Sequence, residues 1–183
     1  MTDSNREQAI TITEDRVHHM LQVARRAYEL SITLFGWSEE KAKQMFTMGL
    51  LHDIGYEFVP DQLQHAHVGG ELLRDLGFRY WQEVYHHGDP NSFFKSDELT
   101  VLNLADMQTS PKGTFVTLDE RLSDIAERYG ETSQQFILAK RVIGGIKQEL
   151  EKSKLEDDTP SNVEWVTILP IVSEMCMISE STT

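Results

Sequence analysis

The sequence has 183 residues, of which 39% are apolar and 26% charged, with 11 glycines and 5 prolines. This length and composition fit one soluble globular domain with a modest extension, and they exclude collagen-like, low-complexity and wholly disordered chains. The net charge of −13 repels phosphate backbones and anionic lipids, so we expect neither a nucleic-acid partner nor a membrane partner.

The N-terminal residues and the single cysteine bear on the compartment. Residues 1–8 are polar and lack the apolar segment of a signal peptide, and no run approaches the roughly 18 apolar residues of a membrane span. Cys176 is alone, so it forms no internal disulfide and supplies no thiolate cluster for a metal. We therefore expect a cytoplasmic protein.

Helix-capping residues and a 3.6-residue apolar period predict an all-α bundle of about eight helices. In chain order, the predicted helices cover approximately residues 13–35, 38–54, 61–76, 78–87, 96–108, 117–130, 132–154 and 163–179. Residues 1–13 are predicted to be a lead-in and residues 14–154 the domain with its helical extension. Residues 155–183 are predicted to be a polar break followed by a C-terminal helix, which we expect to pack on the domain or on a second subunit, as in a homodimer.

All seven histidines lie between positions 18 and 87, and helical spacing separates those that face the core from those that face solvent. On the first helix, His19 shares the apolar stripe and His18 lies opposite. On the third helix, His65 faces inward and His67 outward. Arg16 lies on the inward side of the first helix, where a guanidinium needs a carboxylate or a phosphate.

Two aspartates occupy apolar surroundings. His52 and Asp53 end an apolar helix, and Asp106 lies near the apolar face of the fifth helix. A carboxylate buried in such a place is costly unless a cation compensates it. At the end of the fourth helix, the helical angle favours His87 over His86 as the inward residue, but periodicity is a weak guide at a helix end.

Taken in order, these residues resemble the HD-domain superfamily of metal-dependent phosphohydrolases. Arg16-x-x-His19 resembles the first histidine motif, Leu51-His52-Asp53-Ile54-Gly55 the signature pair, and Leu104-Ala105-Asp106 the final aspartate. The resemblance covers roughly residues 14–130 and implies an HD-domain helical bundle. Because helical members with this order of motifs bind divalent metals, it also implies a metal centre.

Two further histidines resemble those of the members that hold two metals. They are His65 in His-Ala-His-Val-Gly and His86 in Val-Tyr-His-His-Gly, and the resemblance favours His86 against the helical angle. The implied ligands are His19, His52, Asp53, His65, His86 and Asp106, with Asp53 bridging both ions. Imidazole and carboxylate ligands without thiolate suit iron or manganese, with zinc as a further option.

The resemblance implies hydrolysis of a phosphate ester or anhydride by a hydroxide that bridges two metal ions, with Asp53 and His52 as catalytic residues. The substrate would be a nucleotide or a small phosphorylated metabolite, contacted by Lys112, Arg16 and Arg121. Lys112 has an ordinary exposed loop as its alternative interpretation, and Arg121 a local ion pair on an exposed helix.

Small bacterial hydrolases of diadenosine tetraphosphate are similar in size and motif order. Their Tyr-His-Thr-Thr-Gly segment is replaced here by Tyr85-His86-His87-Gly88-Asp89, which argues against that substrate. Two other functions stay open at this point. One is a mixed-valence di-iron oxygenase of HD type, which uses the same six ligands, and the other is a non-catalytic domain that senses a nucleotide.

Overall fold

The computed structural model describes residues 12–59 and 62–156, and these residues form an all-α fold. The seven α-helices are α1 Glu14–Thr33, α2 Glu39–Leu51, α3 His65–Asp75, α4 Trp81–His86, α5 Asp97–Met107, α6 Leu118–Tyr129 and α7 Gln134–Glu156. The prediction of an all-α bundle is confirmed. The predicted eighth helix, over 163–179, lies outside the described residues, as does most of the lead-in.

Short turns join α2 to α3 in place of a longer third helix. They are 3₁₀ turns at Ile54–Glu57 and Gln62–Gln64, so α3 starts at His65 rather than near residue 61. His65 therefore occupies the first turn of α3.

Within the described ranges, the only β-type pairing is an isolated bridge between Thr109 and Phe115.

The predicted caps explain where most helices begin. The side chains of four residues each accept a hydrogen bond from a backbone N–H in the first turn: Thr13, Ser38, Ser96 and Thr117. The helix predicted to begin at residue 132 begins at Gln134, where the Ser133 hydroxyl accepts a hydrogen bond from the backbone N–H of Phe136. Hydroxyl caps of this kind satisfy N–H groups that the helix itself leaves unpaired.

The core lies where α1, α2 and α5 pack together and where α4 closes against α3 and α5. Its fully buried members include Val23, Met45, Met48, Val84 and Leu102. A Cβ on Gly49 would lie 2.8 Å from the Cα of Ala24 on α1, so this glycine permits the close crossing of α1 and α2. That crossing brings the C-terminal end of α2 beside the first turns of α1.

By its internal contacts the chain divides into two units, Met1–Glu151 and Lys152–Thr183. The helices that surround the site described below all belong to the first unit. No helix within the described ranges has both the length and the hydropathy needed to cross a bilayer.

Candidate metal centre

Six titratable side chains from five parts of the chain meet in the interior of the first unit. His19 comes from α1, His52 and Asp53 from the end of α2, His65 from the start of α3, His87 from the residue after α4, and Asp106 from α5. His19, His52, Asp53 and His87 are at most 5% exposed. Two carboxylates and four imidazoles in one apolar interior are costly unless they compensate one another or bind cations.

Asp53 is the centre of this cluster. Its Oδ1 atom lies 3.2 Å from Nε2 of His65, 3.4 Å from Nε2 of His52 and 3.6 Å from Nε2 of His87. Its Oδ2 atom lies 3.7 Å from Nε2 of His19. One carboxylate therefore faces four imidazole nitrogens.

Asp106 completes the side of the cluster nearest α1. Its Oδ1 atom lies 3.1 Å from Nε2 of His19 and 3.9 Å from Nε2 of His52, and its side chain is 13% exposed. The inward orientation predicted for Asp106 is therefore what the structure shows, and the same holds for His19 and His65.

Backbone carbonyls orient three of the imidazoles. Nδ1–H donates to Ser110 O at 2.9 Å in His19, to Gly49 O at 2.7 Å in His52, and to Val84 O at 2.6 Å in His87. A histidine that donates from Nδ1 presents Nε2 to whatever lies opposite. All three rings therefore direct Nε2 at the carboxylates.

A glycine allows His65 to reach Asp53. A Cβ on Gly55 would lie 1.9 Å from the carbonyl oxygen of His65 and 2.7 Å from the backbone nitrogen of Gly69. Any side chain at this position would push α3 away from the 3₁₀ turn that follows the His-Asp pair. The glycine of the signature motif thus has a direct steric role.

The two aspartates are ionised. Burial raises the pKa of Asp53, but the charges and hydrogen bonds of the surrounding histidines outweigh it and hold that pKa well below its ordinary value. Burial likewise raises the pKa of Asp106, but the hydrogen bond and charge of His19 outweigh it and hold that pKa below its ordinary value. The two carboxylates therefore carry negative charge that cations can neutralise.

The histidines differ from one another. Burial lowers the pKa of His52 to about 4, so its imidazole is neutral near pH 7. Burial also lowers the pKa of His19 and His87, but the hydrogen bonds and charges of Asp106 and Asp53 outweigh it and leave both pKa values raised. A metal ion at Nε2 of His19 or His87 would have to displace a proton that the carboxylates stabilise there.

The donor set fits divalent metal ions. Nε2 of His52 is buried and has no hydrogen-bond partner among the described residues, although a neutral imidazole that donates from Nδ1 has a lone pair there. Two groups have ligand atoms close enough to share an ion: His19, His52 and Asp53, and Asp53, His65 and His87. Asp53 belongs to both groups, so its carboxylate lies where either group could hold a metal ion.

The structure places His87, and not the predicted His86, beside Asp53. His86 ends α4 and faces outward, where its Nδ1 lies 3.0 Å from the Ser92 hydroxyl and its ring stacks on Phe94. His87 leaves the helix in an extended conformation, with φ −63° and ψ 143°, and this turns its ring toward Asp53. The helical angle, which favoured His87, was the better guide because the inward face of α4 continues into its C-cap.

Arg16 and Tyr56 line the side of the cluster at the N-terminal end of α1. Nη1 of Arg16 lies 2.5 Å from Oδ2 of Asp53, so the guanidinium predicted to need a carboxylate or a phosphate finds a carboxylate. The ring of Tyr56 lies 4.0 Å from the Arg16 guanidinium carbon and stacks on His65 at 4.2 Å. Sequence reasoning missed Tyr56, although its position directly after the signature Leu51-His52-Asp53-Ile54-Gly55 could have indicated it.

Arg121 and Lys112, the other two side chains predicted to contact the substrate, differ in position. Arg121 forms the local ion pair of its alternative interpretation, with Nη1 lying 3.4 Å from Oδ2 of Asp124. Its side chain is 12% exposed, its Nε has no hydrogen-bond partner within the described part of the chain, and its charge helps to lower the pKa of Asp106. Lys112 is exposed in the loop that carries Ser110, and we find no contact between its ammonium group and the described cluster residues.

Comparison with known proteins identifies the family of the chain. The chain is 39% identical over 67 residues to an uncharacterized protein from Methanocaldococcus jannaschii, a match that spans 36% of this chain and 39% of that relative. The chain thus matches well under half the length of this relative. No solved structure matches the chain. The HD domain family matches residues 16–158, a range that holds the whole cluster, and the chain therefore belongs to the HD-domain family.

Proposed function

We propose that this protein is a binuclear metal-dependent phosphohydrolase that cleaves a phosphate ester or anhydride of a nucleotide or another small phosphorylated metabolite. The observation that carries the proposal is the position of Asp53, whose two carboxylate oxygens lie within 3.7 Å of four imidazole Nε2 atoms. A carboxylate in an ordinary buried ion pair faces one cationic group. A carboxylate that faces four imidazoles instead suits a bridge between two cations.

Two divalent ions held there would lower the pKa of a bound water and balance the charge that develops as a phosphoryl group is transferred. The ligands proposed on this structure are His19, His52, Asp53, His65, His87 and Asp106. Six nitrogen and oxygen ligands without sulfur favour iron or manganese over soft metals.

The chain's own residues prepare this chemistry. Gly49, Val84 and Ser110 hold three imidazoles in the tautomer that leaves Nε2 free for a metal, which is the outer support that such ligands need. Because Asp53 is 3% exposed, its charge is poorly screened by water and attracts cations strongly.

Two guanidinium groups near the site, Arg16 paired with Asp53 and Arg121 paired with Asp124, could turn to an anionic substrate. Arg16 is 27% exposed and Arg121 12% exposed, and both influence the charge of the site, Arg16 through Asp53 and Arg121 through Asp106. Planar guanidinium groups bind phosphate oxygens in pairs of hydrogen bonds. They give an acidic protein a local positive surface for a phosphate.

The first experiment measures the metal content of purified protein and then screens phosphorylated metabolites for release of inorganic phosphate under anaerobic conditions with Mn²⁺. We expect about two ions per chain and phosphate release from at least one nucleotide or sugar phosphate. The matched control is Asp53→Asn, which keeps the size of the side chain but removes its charge and should abolish both metal retention and turnover.

The same screen run in air tests the function class. Turnover that requires O₂, with an electron-paramagnetic signal from a mixed-valence iron pair, would contradict hydrolysis. Tight nucleotide binding without any product would contradict catalysis altogether.

A further inference from the structure

The two oxygens of the Asp53 carboxylate have different partners. Oδ1 faces the Nε2 atoms of His52, His65 and His87 at 3.2–3.6 Å. Oδ2 accepts a hydrogen bond from Arg16 at 2.5 Å and is 3.7 Å from Nε2 of His19. The Arg16 guanidinium thus pairs with the Asp53 oxygen that lies on the His19 side of the cluster.

Arg16 is placed so that it can exchange partners. It is the third residue of α1, and its side chain is 27% exposed whereas that of Asp53 is 3% exposed. The Arg16 guanidinium also rests 4.0 Å from the centre of the Tyr56 ring, a cation–π contact that does not depend on Asp53. The guanidinium can therefore leave Oδ2 without unfolding the helix and stay beside Tyr56.

A buried carboxylate needs a counterion at every stage, because an unpaired charge in the interior is strongly destabilising. A guanidinium that stayed on Oδ2 would, however, repel a divalent ion bound between His19, His52 and Asp53 only a few ångströms away. Both requirements are met if one cation replaces the other.

We propose that Arg16 is a resident cation that compensates Asp53 before metal binds and then moves from Asp53 Oδ2 to the phosphate of the substrate. The exchange breaks one ion pair and forms another, with no covalent step and no proton transfer. The inference rests on the metal centre of the proposed function and adds a role that a simple phosphate contact would lack: Arg16 opposes metal binding and favours phosphate binding.

The test uses the full chain and Arg16→Met, which removes the charge and keeps an unbranched apolar side chain. Mn²⁺ binding to metal-free protein is measured by isothermal titration calorimetry, and binding of inorganic phosphate is measured on the Mn²⁺-loaded protein. We expect Mn²⁺ to bind about tenfold more tightly or better, a coupling of ordinary size, and phosphate to bind about tenfold more weakly. The melting temperature of the metal-free variant should fall.

Lys41→Met is the matched control. Lys41 is 24% exposed and forms an ion pair with Glu98, and it also lies near the rings of Trp37 and Tyr80. Its loss should lower the melting temperature without changing the affinity for Mn²⁺ or phosphate. Arg16→Lys, which keeps the charge, should retain the stability of the metal-free protein and guards against a Met variant that folds poorly.

The outcomes separate the inference from the proposed function. If the wild-type protein binds no Mn²⁺, both fall. If the wild-type protein binds Mn²⁺ and phosphate but Arg16→Met binds Mn²⁺ no more tightly, the exchange is wrong while the metal centre stands. Tighter Mn²⁺ binding together with unchanged phosphate binding would also overturn it, because Arg16 would then have no second partner.

Discussion

Replacing each of two adjacent histidines by alanine tests the identity of the sixth ligand. His87→Ala removes a side chain that is 5% exposed and whose Nε2 lies 3.6 Å from Asp53 Oδ1 and 3.1 Å from Nε2 of His65. His86→Ala removes a half-buried side chain that contacts Ser92 and Phe94. Because the two residues are neighbours of the same type, general effects of the substitution are matched.

The expected loss in metal affinity can be worked from the structure. His87 supplies one ligand atom of the three in the group formed with Asp53 and His65. Loss of an outer-shell partner of a metal ligand costs about 10–100-fold in affinity, so loss of the ligand itself should cost about 100-fold or more, which is about 2.8 kcal/mol. The other group, with His19 and His52, keeps all of its atoms.

The assay is metal analysis after extensive dialysis, combined with titration of Mn²⁺ into metal-free protein. We expect about two ions per chain in the wild type and in His86→Ala, and about one ion in His87→Ala, with turnover lost only in the last. Loss of metal from His86→Ala but not from His87→Ala would refute the geometric assignment and restore His86 as the ligand.

Three further predictions concern pH, packing and substrate binding. The pKa values of His19 and His87 are raised in the folded protein, so the folded metal-free protein binds more protons than the unfolded chain as pH rises above the ordinary histidine pKa. Its free energy of unfolding should therefore fall as pH rises through the raised pKa values, whereas Mn²⁺ affinity should rise. A urea-denaturation series and calorimetry test this, and a free energy of unfolding that rises, or a Mn²⁺ affinity that falls, over that range would contradict it. Gly55→Ala should lower the free energy of unfolding by about 1–3 kcal/mol or more, because its Cβ would lie 1.9 Å from a carbonyl oxygen of α3, and the variant should also lose metal. Gly145→Ala is the control, since its Cβ would meet nothing within 4 Å in the described residues, and it should raise the free energy of unfolding by about 0.5–1 kcal/mol. The reverse order of stabilities in urea denaturation would contradict the packing at Gly55. Arg121→Gln should raise the KM of the phosphorylated substrate about tenfold or more without loss of metal, since hydrogen bonds to charged groups contribute about 1.5–3 kcal/mol; an unchanged KM would remove Arg121 from the substrate site.

Much of the fold could be read from local chemistry. Four hydroxyl caps predicted at Thr13, Ser38, Ser96 and Thr117 are present, because an N-cap hydrogen bond forms between residues three apart and needs no tertiary partner. The start of α3 was placed too early, since the 3₁₀ turn at Gln62–Gln64 carries no distinctive sequence signal.

The facing of the histidines was also local information. His19 and His65 point inward and His18 and His67 outward because residues three and four apart share one face of a helix. The same rule favoured His87 at the end of the fourth helix, and the structure places His87 in the cluster, whereas the motif read by resemblance selected its neighbour His86.

The sequence by itself determined an all-α chain, an ordered set of inward histidines and aspartates, and the family to which these belong. Only the tertiary structure decided which atoms meet. Asp53 comes to lie among four imidazoles because close approaches at Gly49 and Gly55 set the positions of three helices, and Tyr56 and Arg16 come together because α1 and the turn after α2 pack side by side. Such contacts join residues far apart in the chain, and their distances depend on packing that no local pattern of residues specifies.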